Sequence, residues 1–292
     1  MDQLFDERPH ISEEIIDRCI SRNDYKEYLY ETLKFLGVFI SKVSCIDPIK
    51  SEVPNISEIR RTVFIGIINR ISRLILSYIH LSEDGLFGET ASIIERCLFE
   101  SCLRLRWLIQ DETDERVKIF ICDSLKKDVE FKEYIESNEK ALGYRTSIGT
   151  KLCDQIQELL GSSFVEQNQI KKSPRMPSFD KMCKDLELDP IYYLLFQRQR
   201  SHSIHGSWTD LYLHYLRKDG NKGFVPRDHD VRIKAEQFLV VIRVLIETMT
   251  VYLKTLSTDA KHHDFIDAFF KEIKDKIMVI EGIEFKEDRK RV

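Results

Sequence analysis

Most of the features that announce a chemistry are missing from this 292-residue chain. Its cysteines (Cys19, Cys45, Cys97, Cys102, Cys122, Cys153 and Cys183) include no Cys-x-x-Cys pair. An odd, unpatterned set on apolar helix faces points to reduced core thiols in a cytosolic protein. The 11 glycines are dispersed, so there is no Gly-rich phosphate loop and a nucleotide triphosphatase is disfavoured. There is no Gly-x-Ser-x-Gly elbow either. His202 and His205 stand three apart without a matching Glu-x-x-His or His-Glu-x-x-His, and His262 and His263, beside Asp264, point apart on a helix. No metal and no other cofactor is expected. No apolar run reaches the ~18 residues of a membrane span, and the best attempt, Val63 to Ile79, is interrupted by Asn69, Arg70 and Arg73. The start, Met1-Asp2-Gln3-Leu4-Phe5-Asp6-Glu7, lacks the basic-then-apolar order of a signal peptide. A soluble, cytoplasmic chain without membrane contact is the expectation. A net charge of -4 does not suggest a general polyanion binder, so any nucleic-acid contact needs a local basic patch.

What is present is helix. Hydrophobic residues make up 42% and charged residues 32%, the balance of a globular domain. Ser12 with Glu13 and Glu14 opens a helix over 11–22, and Asp24 one over 24–45 with Leu29, Leu33, Leu36 and Ile40 in step. Asp47-Pro48 through Pro54 is a connector. Helices are predicted from Asn55 or Ser57 to about His80, over 89–110, over 111–137 as an exposed outer helix, and at 150–160. A basic loop with Lys171, Lys172 and Arg175 spans 161–177. Asp189-Pro190 caps a helix running towards Arg217, a turn follows at 218–223, and two more helices reach about Leu256 and Ile280. The fold class is all-α: an up-and-down bundle of about nine helices with no significant sheet. Residues 1–54 read as an N-terminal helical segment packed on the main domain, 55–285 as the bundle, and 286–292 as a charged tail. On the helix over 89–110, Arg96, Glu100 and Arg104 form an i, i+4, i+8 ladder. It is either a partly solvated ion ladder or, through Arg96 and Glu100, support for the stretch described next.

That stretch, Phe196 to Trp208, packs two arginines, two histidines and three serines into an otherwise apolar, helical segment. Groups that trade protons near neutral pH sit beside fixed positive charge, a combination suited to phosphate. In a continuous helix Arg198, His202 and His205 share one stripe, which Trp208, Thr209 and Tyr212 continue.

Arg200-Ser201-His202-Ser203-Ile204-His205-Gly206 resembles the signature of the HEPN superfamily, an arginine and a histidine with four to six residues between them, often followed by glycine. Arg200 and Arg198 both stand at allowed distances from His205; Ser201 takes the place where that family most often has Asn, Asp or His. Arg73 and His80 match the spacing too, on a strongly apolar helix, and are read as chance. The upstream Arg96-x-x-x-Glu100 with the Ser-x-x-x-His-Gly segment also resembles an uncharacterised helical family beside the HEPN proteins. The resemblance implies a homodimer with the motif segments facing each other and metal-independent cleavage of RNA. His205 would be the general acid/base and Arg200 the phosphate clamp, with Arg198, His202, Ser201 and Tyr212 as auxiliaries and Arg96 and Glu100 behind them. It further implies a toxin-like role in phage (antiviral) defence or stress response, with room for a neutralising or activating protein partner. The rival reading is a non-catalytic helical module that binds a protein partner or a nucleotide through the same cleft.

Overall fold

Helices begin and end where side chains or turns can satisfy their terminal amides and carbonyls. The computed structural model describes every residue except 1–4, 6–7, 47–55, 84–86, 195, 197–204, 206, 221–222, 228–231 and 289–292, and only the backbone of 279–288. Its helices are α1 (Glu13–Arg22), α2 (Lys26–Ser44), α3 (Glu58–Ser82), α4 (Gly88–Ile109), α5 (Glu115–Leu142), α6 (Ser147–Ser162), α7 (Gln167–Lys172), α8 (Phe179–Asp185), α9 (Ala235–Thr255) and α10 (Ala260–Asp288). Ser12 caps α1 as expected, accepting from the Ile15 amide at 3.4 Å. Glu13 and Glu14 sit at the positive end of its dipole, and Asn23 at φ +49° closes it in left-handed backbone. The fold is all-α.

Two compact units divide the chain. Met1–Ile56, Phe64–Ile109 and Phe179–Val292 make the first; Ser57–Val63 and Gln110–Ser178 make the second. At the centre of the first is α9, which packs on α2, α4 and α10. Phe238, Val241, Ile242, Leu245, Ile246, Met249 and Tyr252 of α9 are all buried, more than one stripe, as a helix covered on several sides requires. On α2 the predicted Leu29, Leu33, Leu36 and Ile40 are buried together with Phe39 and Val43. The Glu95 carboxylate of α4 is fully buried and accepts hydrogen bonds from the Tyr78 hydroxyl and the Gln237 amide, each at 2.8 Å. That network links α3, α4 and α9 and gives one oxygen of the buried carboxyl two hydrogen-bond donors.

One expectation needs correction on α3. It is a helix long and apolar enough to cross a membrane by length and composition. Asn69, Arg70 and Arg73 interrupt its apolar run but not the helix itself. Arg70 donates to the Ser101 hydroxyl of α4 at 3.1 Å, so one charge on the helix is spent on another helix.

The second unit is organised by α5, whose Cys122, Leu125 and Val129 form a thin buried stripe on an otherwise charged helix, as its sequence suggested. Gly143, at φ +78°, ends α5, and Thr146 caps α6 through the Gly149 amide at 2.9 Å. The stretch expected as loop over 161–177 contains α7. Val165 and Ile170 flank its first turn and drop into the α5 stripe, which supplies the burial that a six-residue helix cannot supply for itself. Lys171 there pairs with Glu133 at 2.6 Å.

Among the described residues, the sheet is a single two-stranded ribbon, in keeping with the expectation of no significant sheet. Leu216–Asp219 (β1) and Gly223–Pro226 (β2) pair antiparallel, with Lys218 opposite Phe224 and Arg217 opposite Val225. The helical turns that begin after Ser207 therefore end at Tyr215, short of the predicted Arg217. The predicted turn at 218–223 is the hairpin loop, with Gly220 and Gly223 both at positive φ.

Candidate functional site

The segment that carries the candidate residues is pinned at its near end. Asp189 accepts from the Ile191 amide at 2.9 Å, and Pro190 takes the first helical position, where no amide is lost. The chain then lays Phe196 flat on Phe99 of α4, ring centres 4.4 Å apart and planes within 6°, and Tyr192 extends the stack. The Tyr192 hydroxyl donates to Glu247 at 3.3 Å, whose other oxygen accepts from Arg106 at 2.8 Å. Burial, and then the Glu247 carboxylate, push the Tyr192 phenol above its ordinary range, so it remains a donor at neutral pH.

The ladder on α4 has the geometry read from its spacing. Arg96 Nε meets Glu100 at 3.0 Å, and Arg104 reaches the same carboxylate at 3.7 Å while its guanidinium lies 4.9 Å over the Phe179 ring. The Arg96 and Glu100 side chains are 13% and 18% exposed, so this is a covered ladder and not a solvated one. Arg96 stands three residues before Phe99, on the same side of α4 as the ring that seats Phe196.

Of the central residues, Arg198, Arg200, Ser201 and His202 lie outside the described residues. His205 is described, and it is exposed. The far end of the segment begins at Ser207, whose hydroxyl accepts from the Asp210 amide at 3.4 Å and caps a turn at Trp208–Asp210. A π-helix, Leu211–Tyr215, carries the chain into β1. Tyr212, expected as an auxiliary hydrogen-bond donor, stands among rings: Trp208 is 6.4 Å and Phe224 6.0 Å from it, centre to centre.

Two residues escaped the sequence reading. Asp210 is 3% exposed, and its Oδ1 lies 4.0 Å from His214 Nε2. Asp210 Oδ1 and His214 Nδ1 are both buried without a hydrogen-bond partner. Burial holds His214 below the usual imidazole range; Asp210 pulls it up and Arg227 pushes it down. The signal that could have found the pair is its spacing of four inside the apolar run Trp208 to Leu216. The adjacent histidines of α10 have structural work instead. His262 meets the Ser257 hydroxyl at 3.0 Å, and His263 meets the Lys254 and Ser257 carbonyls at 3.0 and 2.8 Å. Among the described residues no group of three His, Cys, Asp or Glu could hold a metal ion.

Charge singles out the same segment. Residues 190–227 contain six Lys or Arg against two Asp, in a chain with 45 basic and 49 acidic residues. The candidate site is thus an exposed imidazole on a locally cationic strip in an acidic protein. A family model described as "Family of unknown function (DUF5677)" matches residues 61–224. No curated protein and no solved structure matches the chain.

Proposed function

Because the chain belongs to this family of unknown function (DUF5677), and the matched span 61–224 includes α4, His205 and most of the cationic strip, we propose that the strip is where it acts, as a metal-independent endoribonuclease. The observation that carries the reading is that His205 is exposed on a segment whose near end is stacked against α4. A side chain enclosed by the bundle could not meet a phosphodiester. His205 takes the proton of a ribose 2′-hydroxyl, the 2′-oxygen attacks the adjacent phosphorus, and the bond to the 5′-oxygen breaks. The products are a 2′,3′-cyclic phosphate and a 5′-hydroxyl. The leaving 5′-oxygen needs a proton in its turn, which a second His205 supplies if two copies face each other, as the resemblance to HEPN proteins implies. The Arg200 guanidinium holds the phosphate and balances the charge that gathers on its non-bridging oxygens, with Arg198 beside it. An arginine fits that role because its charge persists across the pH range in which the imidazole works.

The test is cleavage of 5′-labelled single-stranded RNA by the purified chain in EDTA. Cyclic-phosphate ends should form, a 2′-deoxy substitution at the cut site should block the reaction, and His205→Ala should abolish it. Equal cleavage by wild type and His205→Ala would reject the assignment. Failure of the wild type to cut any RNA would favour the non-catalytic module.

A further inference from the structure

Large apolar side chains crowd the surface just beyond His205. Trp208 is 61% exposed, and Tyr212 and Phe224 are each 47% exposed. They touch one another: Trp208 to Phe224 at 5.6 Å and 90°, Tyr212 to Phe224 at 6.0 Å and 78°. Three rings that could have turned inward instead make a cluster open to water, where exposure of this kind marks an interaction site. The hairpin register adds a charge to it. Lys218 is directly opposite Phe224, and residues opposed in an antiparallel pair project from the same face. Exposed Arg217 and Arg227 lie on the same two-stranded unit and its exit. Asp210, one of the two carboxylates of the strip, is turned inside.

A ligand for such a surface needs exposed π-faces and negative charge at short intervals. A single-stranded nucleic acid has both, whereas a duplex hides its base faces in its own stack. A second copy seated ring to ring would offer only the same rings and cations and no negative charge, a contact separate from the His205-to-His205 facing that the ribonuclease reading uses. We propose that Trp208, Tyr212, Phe224 and Lys218 form a platform on which unpaired bases of single-stranded RNA stack, delivering the strand to His205. The proposal rests on the ribonuclease reading for its choice of RNA. It deepens that reading by naming the substrate class and the contact that selects it.

Binding can be separated from cleavage by working with the full chain carrying His205→Ala. An oligouridylate of about twelve nucleotides, within the span that stacking surfaces accommodate, is titrated while tryptophan emission is followed. Trp107 is 5% exposed and donates its N–H to Asp185, so the quenchable signal belongs to Trp208. Quenching is expected with the single strand and much less with the same length of RNA duplex. Trp208→Ala, Tyr212→Ala and Phe224→Ala, read by anisotropy of a labelled strand, should each weaken binding about tenfold. Lys218→Gln should lower the slope of log affinity against log salt by about one. Binding unchanged in all three ring variants would overturn the platform. So would a Trp208→Ala variant that changes from dimer to monomer in sedimentation while still binding RNA, since a second copy would then cover the rings. If the rings govern binding but wild-type protein cuts nothing, the platform stands and the nuclease reading falls.

Discussion

Two aromatic clusters a few residues apart in one segment obey opposite rules. Where the segment meets α4, Phe196 is closed against Phe99, with Tyr192 as a cover. Past His205, Trp208, Tyr212 and Phe224 meet one another and the solvent. The first arrangement minimises free energy in the ordinary way, since rings leave water and find a stacked partner. The second leaves that gain unused while placing a carboxylate, Asp210, inside. A fold that needed only stability would exchange the two. The difference teaches that the segment is closed against the bundle at one end and open to solvent at the other.

The sharpest way to break this comparison is to truncate a ring on each side. Phe196→Ala should cost about 3 kcal/mol in urea denaturation, because a fully buried ring leaves a cavity against Phe99. Trp208→Ala removes a larger side chain and should cost less than about 0.5 kcal/mol. Similar losses at both positions would mean that the outer cluster is structural and the contrast false. A smaller effect probes the seat of the anchor. Glu100→Gln severs the bridges to Arg96 and Arg104 together, and should lower stability by about 1 kcal/mol with weak dependence on salt, as its covered position implies. A strong salt dependence would show the ladder to be solvated after all.

The smallest effect concerns pH. The folded His214 resists protonation, so above an unfolded value of ~6.5 its contribution to stability is complete. The contribution is lost as pH falls through the lower folded value, because the unfolded chain then binds a proton that the folded one refuses. His214→Gln should therefore flatten the loss of melting temperature between pH 7 and pH 5. An unchanged slope would remove burial as the cause.

Much of this architecture could be read in advance wherever a local rule and the tertiary environment agreed. Ser12 before two glutamates, Asp189 before Pro190 and the ladder on α4 are all decided within a turn or two of helix. The misses share a cause. The run Tyr212 to Arg217 keeps helical spacing, and nothing in Leu216-Arg217-Lys218-Asp219 alternates; the strand exists because Gly223–Pro226 returns alongside it. Likewise α7 owes its existence to a stripe on α5 some forty residues earlier, which no short window contains. For the site, residue types at a spacing were enough to nominate His205. Which way Tyr212 faces, and the inward turn of Asp210, depended on a π-helix that side-chain periodicity does not announce.

The position of α9 at the centre of its unit has a consequence for how the protein is made. Helices α2 and α4 both rest on it, yet it is translated long after them. Until residue 255 has left the ribosome, the sides of α2 and α4 that α9 covers stay open, and the nascent chain gains from shielding through that interval. The order of synthesis thus leaves this fold to close late, when its last long helices arrive.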